Sequence, residues 1–99
     1  MDIKVSSVSD DGTVEIFLDG WLDTQHAPEL ANALRGLGSD VKHLPLDFTN
    51  LAYISSAGIR QIVAAQRLLK GEVTLRHPQE EVMRVLRLVG LDKHLDIQQ

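Results

Sequence analysis

An abrupt change of apolar period between residues 46 and 59 constrains this chain more than any other feature. Leu46-Asp-Phe-Thr-Asn-Leu-Ala-Tyr-Ile54 is rich in apolar residues, whereas from Ile59 onward the apolar residues recur at spacings of three and four. The first pattern suits a buried strand and the second an amphipathic helix. The stretch therefore reads as a strand, a short loop, two serines and the start of a helix. Phe48, Leu51, Tyr53 and Ile54 are apolar and sit just before the serines. Ser55 and Ser56 stand at the mouth of the helix, where the first backbone N–H groups have no intrahelical partner and the dipole adds partial positive charge. Two roles fit such serines. Ser is a preferred N-cap, a role that needs nothing beyond stability, and local physics alone favours it. A phosphate on such a serine would also be stabilised where it stands.

The rest of the chain supplies a frame around this stretch. Ile3, Val5 and Val8 suggest a short strand over residues 2–8, and Asp10-Asp-Gly12 a turn. Thr13-Val-Glu-Ile-Phe-Leu-Asp19 alternates with period 2 and completes an antiparallel hairpin. Gly20-Trp-Leu-Asp-Thr24 closes that strand. Pro28 belongs in the first turn of a helix, so one starts between Thr24 and Ala27 and presents Ala27, Leu30, Ala31, Leu34 and Leu37. Gly36 and Gly38 end it.

Val41 to Phe48 forms the next strand. Pro45 gives no N–H to a ladder, so this strand lies at an edge on that side or its ladder is broken there. The second helix runs from about Ser56 to Lys70, with Ile59, Ile62, Val63 and Leu69 inside, Ala64, Ala65 and Leu68 filling in, and Arg60, Gln61, Arg67 and Lys70 outside. Gly71 stops it and Glu72–Arg76 alternates as a strand. Pro78 starts a third helix with Glu80 and Glu81 in its first turn, Val82, Val85, Leu86 and Val89 inside, and Gly90 at its end. Leu91, Leu95 and Ile97 can pack in a final strand. The order β-β-α-β-α-β-α predicts a single α/β domain over residues 1–99. Its sheet is mixed but mostly parallel, of 4–5 strands, with the helices on one face.

Composition excludes several classes of function. Ten Lys+Arg against fourteen Asp+Glu give a net charge of −4, which disfavours nonspecific nucleic-acid binding and docking on anionic membranes. The chain has no cysteine, hence no disulfide, thiolate nucleophile or Cys-based zinc site, as suits a cytoplasmic protein. No apolar run approaches the roughly 20 residues needed to span a bilayer. The N-terminus lacks the pattern of a signal peptide.

Little points to catalysis. His26, His43, His77 and His94 form no metal-ligand spacing and read as surface histidines. Gly36-Leu-Gly38 follows a helix and is no phosphate loop. Ser55 and Ser56 sit in no Gly-x-Ser-x-Gly elbow. The expectation is a non-enzyme without cofactor or metal. Trp21 reads as a binding anchor or as packing at the end of the second strand. Asp23 is a helix-start residue, or part of a polar pocket with Ser55 and Ser56 if the neighbouring strand ends adjoin.

Three segments, in order, resemble one family. Gly20-Trp-Leu-Asp-Thr-Gln-His-Ala-Pro-Glu-Leu30 looks like the opening segment of a STAS domain (sulphate transporter and anti-sigma factor antagonist). Leu46–Ile59 resembles that family's central signature, and Val85-Leu-Arg-Leu-Val-Gly-Leu-Asp92 its closing helix and turn.

The resemblance implies a bacterial anti-sigma factor antagonist that switches partners. Unphosphorylated, such a protein binds an anti-sigma factor that is also a serine kinase and frees a sigma factor. Phosphorylated, it lets go, and a PP2C-type phosphatase resets it. Placed on this chain, the family's Asp-Ser-Ser/Thr-Gly signature makes Ser56 the acceptor, followed by Ala57 and Gly58, with Asp23 as a nearby carboxylate. The signature's Asp is Ser55 here, itself a second choice as acceptor. The implied binding surface comprises Trp21, Asp23, Thr24, Ser55, Ser56, Ala57, Gly58, Arg60 and Gln61. STAS domains also serve as soluble subunits of ABC-type lipid transport complexes, where the same patch would bind the ATPase. Binding of a small ligand such as a nucleotide is a weaker reading for an acidic chain without a phosphate loop.

Overall fold

Five strands in the spatial order β1-β2-β3-β4-β5 follow their order in the chain. The computed structural model describes residues 1–99. Its elements are β1 (Asp2–Val5), β2 (Ile16–Leu22), α1 (Ala27–Arg35), β3 (Leu44–Ile54), α2 (Ser56–Leu68), β4 (Val73–Arg76), α3 (Glu80–Leu88), a 3-10 turn (Leu91–Lys93) and β5 (Asp96–Gln98). β1 pairs antiparallel with β2, and every other pair is parallel. From β2 onward each new strand is added on the same side through one helix. A common right-handed crossover then puts all three helices on one face.

The burial pattern agrees. Ile16, Leu18 and Leu22 of β2, Leu44, Leu46 and Phe48 of β3, and Val73 and Leu75 of β4 are buried against Leu30, Leu34, Ile62, Ala65, Val82 and Leu86 of the helices. The opposite face is open. It carries Phe17, Asp19, Asp47, Thr74 and Arg76, and Arg76 Nη1 bridges to Glu15 Oε2 at 2.9 Å. The mixed sheet with helices on one face is therefore as the sequence implies.

Several local features differ from the sequence reading, each for a physical reason. No loop separates Phe48 from the serines, because β3 runs unbroken to Ile54. Its buried residues change spacing from two to three, through Phe48, Leu51 and Ile54. Register shifts against β2 between Phe17 and Asp19 and between Gly20 and Trp21 mark two bulges. An extra residue on one strand turns the following side chains to the other face. Tyr53 is thereby left 44% exposed.

Pro45 is in a central strand. Leu44 N–H bonds to Glu72 O on the β4 side, while His43 O accepts from Val14 N on the β2 side. Alternation turns the missing Pro45 donor toward β2. There it falls between an isolated bridge, Thr13–His43, and the ladder that begins at Ile16–Leu46. The ladder is broken where proline could not have joined it. β2 does not close at Asp19 but continues through Gly20, at φ +115, to Leu22.

The helices are also adjusted. α3 begins at Glu80 instead of Pro78, and Met83 takes an inner position while Val89, just past the last turn, is exposed. In α2, Ile59 and Val63 are half-buried, and Ala64 and Leu68 face solvent. The true inner stripe is Ile62, Ala65 and Leu69.

Candidate functional site

The site forms where β2 ends and α2 begins. Leu22 O, the last carbonyl of β2, accepts both Ser55 N–H (2.9 Å) and Ser55 Oγ–H (3.1 Å). Ser55 is extended (φ −95, ψ 174) and its Oγ accepts from Gly58 N–H at 3.2 Å. Ser55 is thus the N-cap of α2, with its hydroxyl used as donor and as acceptor. Ser56 is the first helical residue, is exposed, and its hydroxyl takes no part in the side-chain hydrogen bonds of this region. The two adjacent serines therefore differ. One is committed to the fold and the other is free.

Gly58 explains how the helix comes so near the strand. A Cβ there would meet Leu22 Cγ at 2.8 Å, Ile54 Cγ1 at 2.9 Å and Leu22 O at 2.9 Å. Only a residue without a side chain allows that approach. Gly58 is buried, so it shapes the site from beneath and offers a partner no surface, contrary to its inclusion in the sequence-derived patch.

The Leu22–Ser55 bonds also put Asp23 beside the start of α2. Asp23 Oδ1 accepts from His26 N–H (2.9 Å) and lies 2.6 Å from His26 Nδ1. Burial pushes the Asp23 carboxyl up, but the hydrogen bonds from the His26 backbone and ring, with the charge of that ring, outweigh it and hold the group below 3.8. Thr24 is exposed in the same turn. Along α2, Ser56 and Arg60 are four residues apart and share a face. Arg60 is exposed, and Ala57 and Gln61 are half-buried beside them. The first turn of α2 contains no acidic residue.

Trp21 is 59% exposed at the end of β2 on the open side of the sheet, beyond the reach of the core. It packs on Tyr53 of β3, ring centroids 5.5 Å apart and planes at 46°. Tyr53 is the site residue that sequence reasoning missed. The signal was the spacing of three between Leu51 and Ile54, which strict alternation cannot accommodate. No three of the His, Asp and Glu side chains converge as ligands for a metal ion. The parallel strands β2 to β5 add in one direction only, so the sheet has no reversal of strand order at which α/β folds open a ligand crevice. No helix is long and apolar enough to cross a membrane.

Residues 5–98 match the family described as "Mlab, STAS domain". The chain belongs to the STAS domain family. Among solved structures, the unphosphorylated form of the anti-sigma factor antagonist SpoIIAA is 23% identical, with a TM-score of 0.79 over 99% of this chain and 89% of that one. An anti-sigma factor antagonist from Mycobacterium paratuberculosis is 23% identical, with a TM-score of 0.82 over 98% and 86%. A putative anti-sigma factor antagonist from Thermotoga maritima is 21% identical, with a TM-score of 0.81 over 98% and 86%. At these identities the likeness establishes the fold. No curated protein sequence matches the chain.

Proposed function

We propose that this protein is an anti-sigma factor antagonist that works as a phosphorylation-controlled binding switch in the cytoplasm. Its unphosphorylated form binds an anti-sigma factor serine kinase through the surface around Ser56 and so frees a sigma factor. Phosphorylation of Ser56 releases the kinase, and a PP2C-type phosphatase restores the binding form. The observation that carries this reading is the division of labour between the serines. Ser55 Oγ is bonded to Leu22 O and Gly58 N, whereas the Ser56 hydroxyl is exposed. The STAS signature has Asp where this chain has Ser55. Both are N-cap residues, so the exchange keeps the cap and leaves the acceptor position unaltered.

A phosphate on Ser56 would sit among unpartnered N–H groups of the first turn, which holds no competing carboxylate. It would bring about −1.5 to −2 charges and a pairing site for Arg60 four residues on. The fold stays as it is while the surface changes sign. A partner that met a neutral hydroxyl and a free Arg60 would meet a dianion and a neutralised Arg60. A loss of a few kcal/mol suffices for release, since each ~1.4 kcal/mol is tenfold in affinity.

The test is intact mass and site mapping of protein isolated from cells, with Ser55→Ala and Ser56→Ala as controls. One phosphate that disappears in Ser56→Ala is the expected result. Loss only in Ser55→Ala, in protein shown to be folded, would move the acceptor by one residue. No phosphate under any growth or stress condition would count against the switch and favour a constitutive docking subunit, such as that of an ABC-type lipid transporter.

A further inference from the structure

At the pole of the sheet opposite Ser56, a groove opens between the segment after α1, the start of β3 and the end of α2. Its volume is about 680 Å³, within the range of roughly 300–1,000 Å³ typical of small-molecule sites. We propose that this groove binds a small amphiphilic anion, one anionic headgroup on a short apolar chain. The proposal is independent of the Ser56 switch.

Three observations carry it. Four of the groove's lining residues are apolar, Leu37, Val41, Leu68 and Leu69, of which Val41 and Leu69 belong to the core beneath it. Leu68 is 55% exposed, so the fold leaves apolar surface there uncovered. Lys42 and Lys70 also line it. The groove's one carboxylate, Glu72, lies 3.2 Å from His43 Nδ1, and neither lysine belongs to an ion pair of the structure. Lys42 Nζ donates only to Ser39 O, at 3.3 Å. In a chain of net charge −4, two lysines free of ion pairs beside the exposed Leu68 are the groups available to an anion here, although Asp40 lies against Gly38 of the same segment.

The third observation is backbone strain. Lys70 has φ +55 just after α2 ends. That left-handed position after a helix is ordinarily filled by glycine, because a side chain is disfavoured there. A glycine does follow, Gly71 at φ +87, yet the strained position before it holds a lysine. A lysine thus stands in that position among the groove's lining residues, where its charge can meet an anionic headgroup whose apolar chain lies on Leu68 and Leu37.

The experiment is an NMR titration of the 15N-labelled full chain with decanoate. Acetate supplies the charge alone, decanol the chain alone, and phosphatidylglycerol vesicles an anionic membrane surface. Expected are saturable shifts confined to residues 37–43 and 68–72 with decanoate, at a Kd below about 1 mM, and none with acetate or decanol at equal concentration. Lys70→Gly provides the sharper readout. It should raise the melting temperature by about 2–5 °C as strain is released, yet weaken decanoate binding about fivefold, since an exposed ion pair is lost. Leu68→Ser should weaken binding without altering the headgroup contacts. Binding unchanged in both variants, shifts centred on another surface, no saturation, or binding to the vesicles alone would each overturn the proposal.

Discussion

At its first turn α2 is fixed from several sides. Ser55 caps it, Leu22 O accepts two hydrogen bonds from that cap, and Gly58 lets the helix lie hard against Leu22 and Ile54. At its last turn the same helix carries an exposed Leu68, a left-handed Lys70 and no side-chain cap. The difference teaches what each end can tolerate. The first turn is determined without using charge and without using the Ser56 hydroxyl. Charge can therefore be added there with little consequence for the fold. The last turn keeps strain that a glycine would remove. A surface switch suits the former kind of end, and a chain position retained at some cost marks the latter.

The comparison breaks most completely if the close approach at Gly58 is lost. In an ordinary helix interior, Gly→Ala stabilises by about 0.5–1 kcal/mol. Here the added Cβ would meet two side chains and a backbone oxygen at under 3.0 Å. Overpacking of this kind costs about 1–3 kcal/mol. Gly58→Ala should therefore destabilise the protein by about 1–3 kcal/mol in urea unfolding, and Gly58→Val by more. A stabilised Gly58→Ala would mean that α2 can shift away from β2 freely, and the first turn would no longer count as the fixed end.

A smaller effect separates the two serines. Ser55→Ala removes the cap and should cost about 1 kcal/mol. Ser55→Asp should recover most of it, because a carboxylate caps as well as a hydroxyl does. Ser56→Ala should change stability by less than about 0.5 kcal/mol, as surface substitutions do. Equal losses at the two positions would erase the distinction on which the choice of acceptor rests. Ser56→Asp should be neutral or stabilising by about 0.3–1 kcal/mol at low salt, through the helix dipole. In the same variant, binding to the proposed anti-sigma factor partner should fall. A Ser56→Asp protein that is destabilised would show that the fold, and not only the surface, responds to charge there.

Much of this was legible in the residues. The change of period after Ile54 located the start of α2, and the flanking segments gave the order of elements because each has a clean period of its own. β3 was not legible in the same way. Two bulges interrupt its alternation, so Phe48, Leu51 and Ile54 recur at three, a spacing that suits neither strand nor helix. The pattern therefore reads as a loop where the strand continues. Pro45 misled in the opposite sense, because edge location and a local gap in a central ladder leave the same mark on a sequence. The role of Gly58 depends on a contact 36 residues back in the chain, at Leu22, and no local pattern carries that. For the serines, the sequence offered capping and phosphorylation as competing roles. The structure gives Ser55 the cap and leaves Ser56 exposed, so one role no longer excludes the other.

The smallest effect concerns the one carboxylate that the fold sets beside this end of α2. Asp23 is held below 3.8 although burial acts to raise it, because His26 donates to it from its backbone and lies against it with its ring. A carboxyl depressed in the folded state contributes stability that is present above its unfolded value and lost as pH falls through its folded value. The contribution should thus be intact at neutral pH and vanish in acid, below the ordinary range for aspartate. Asp23→Asn keeps an acceptor for His26 N–H but removes the titration. Between about pH 5 and 2, its stability should fall less steeply than that of the parent protein. NMR titration of the Asp23 side chain should show the low value directly. Introducing Ser56→Asp should raise it, since a second anion close by disfavours the charged form. If Asp23 titrates identically with and without the charge at position 56, the two groups do not share one patch. The release mechanism would then rest on Arg60 and the loss of a neutral hydroxyl alone.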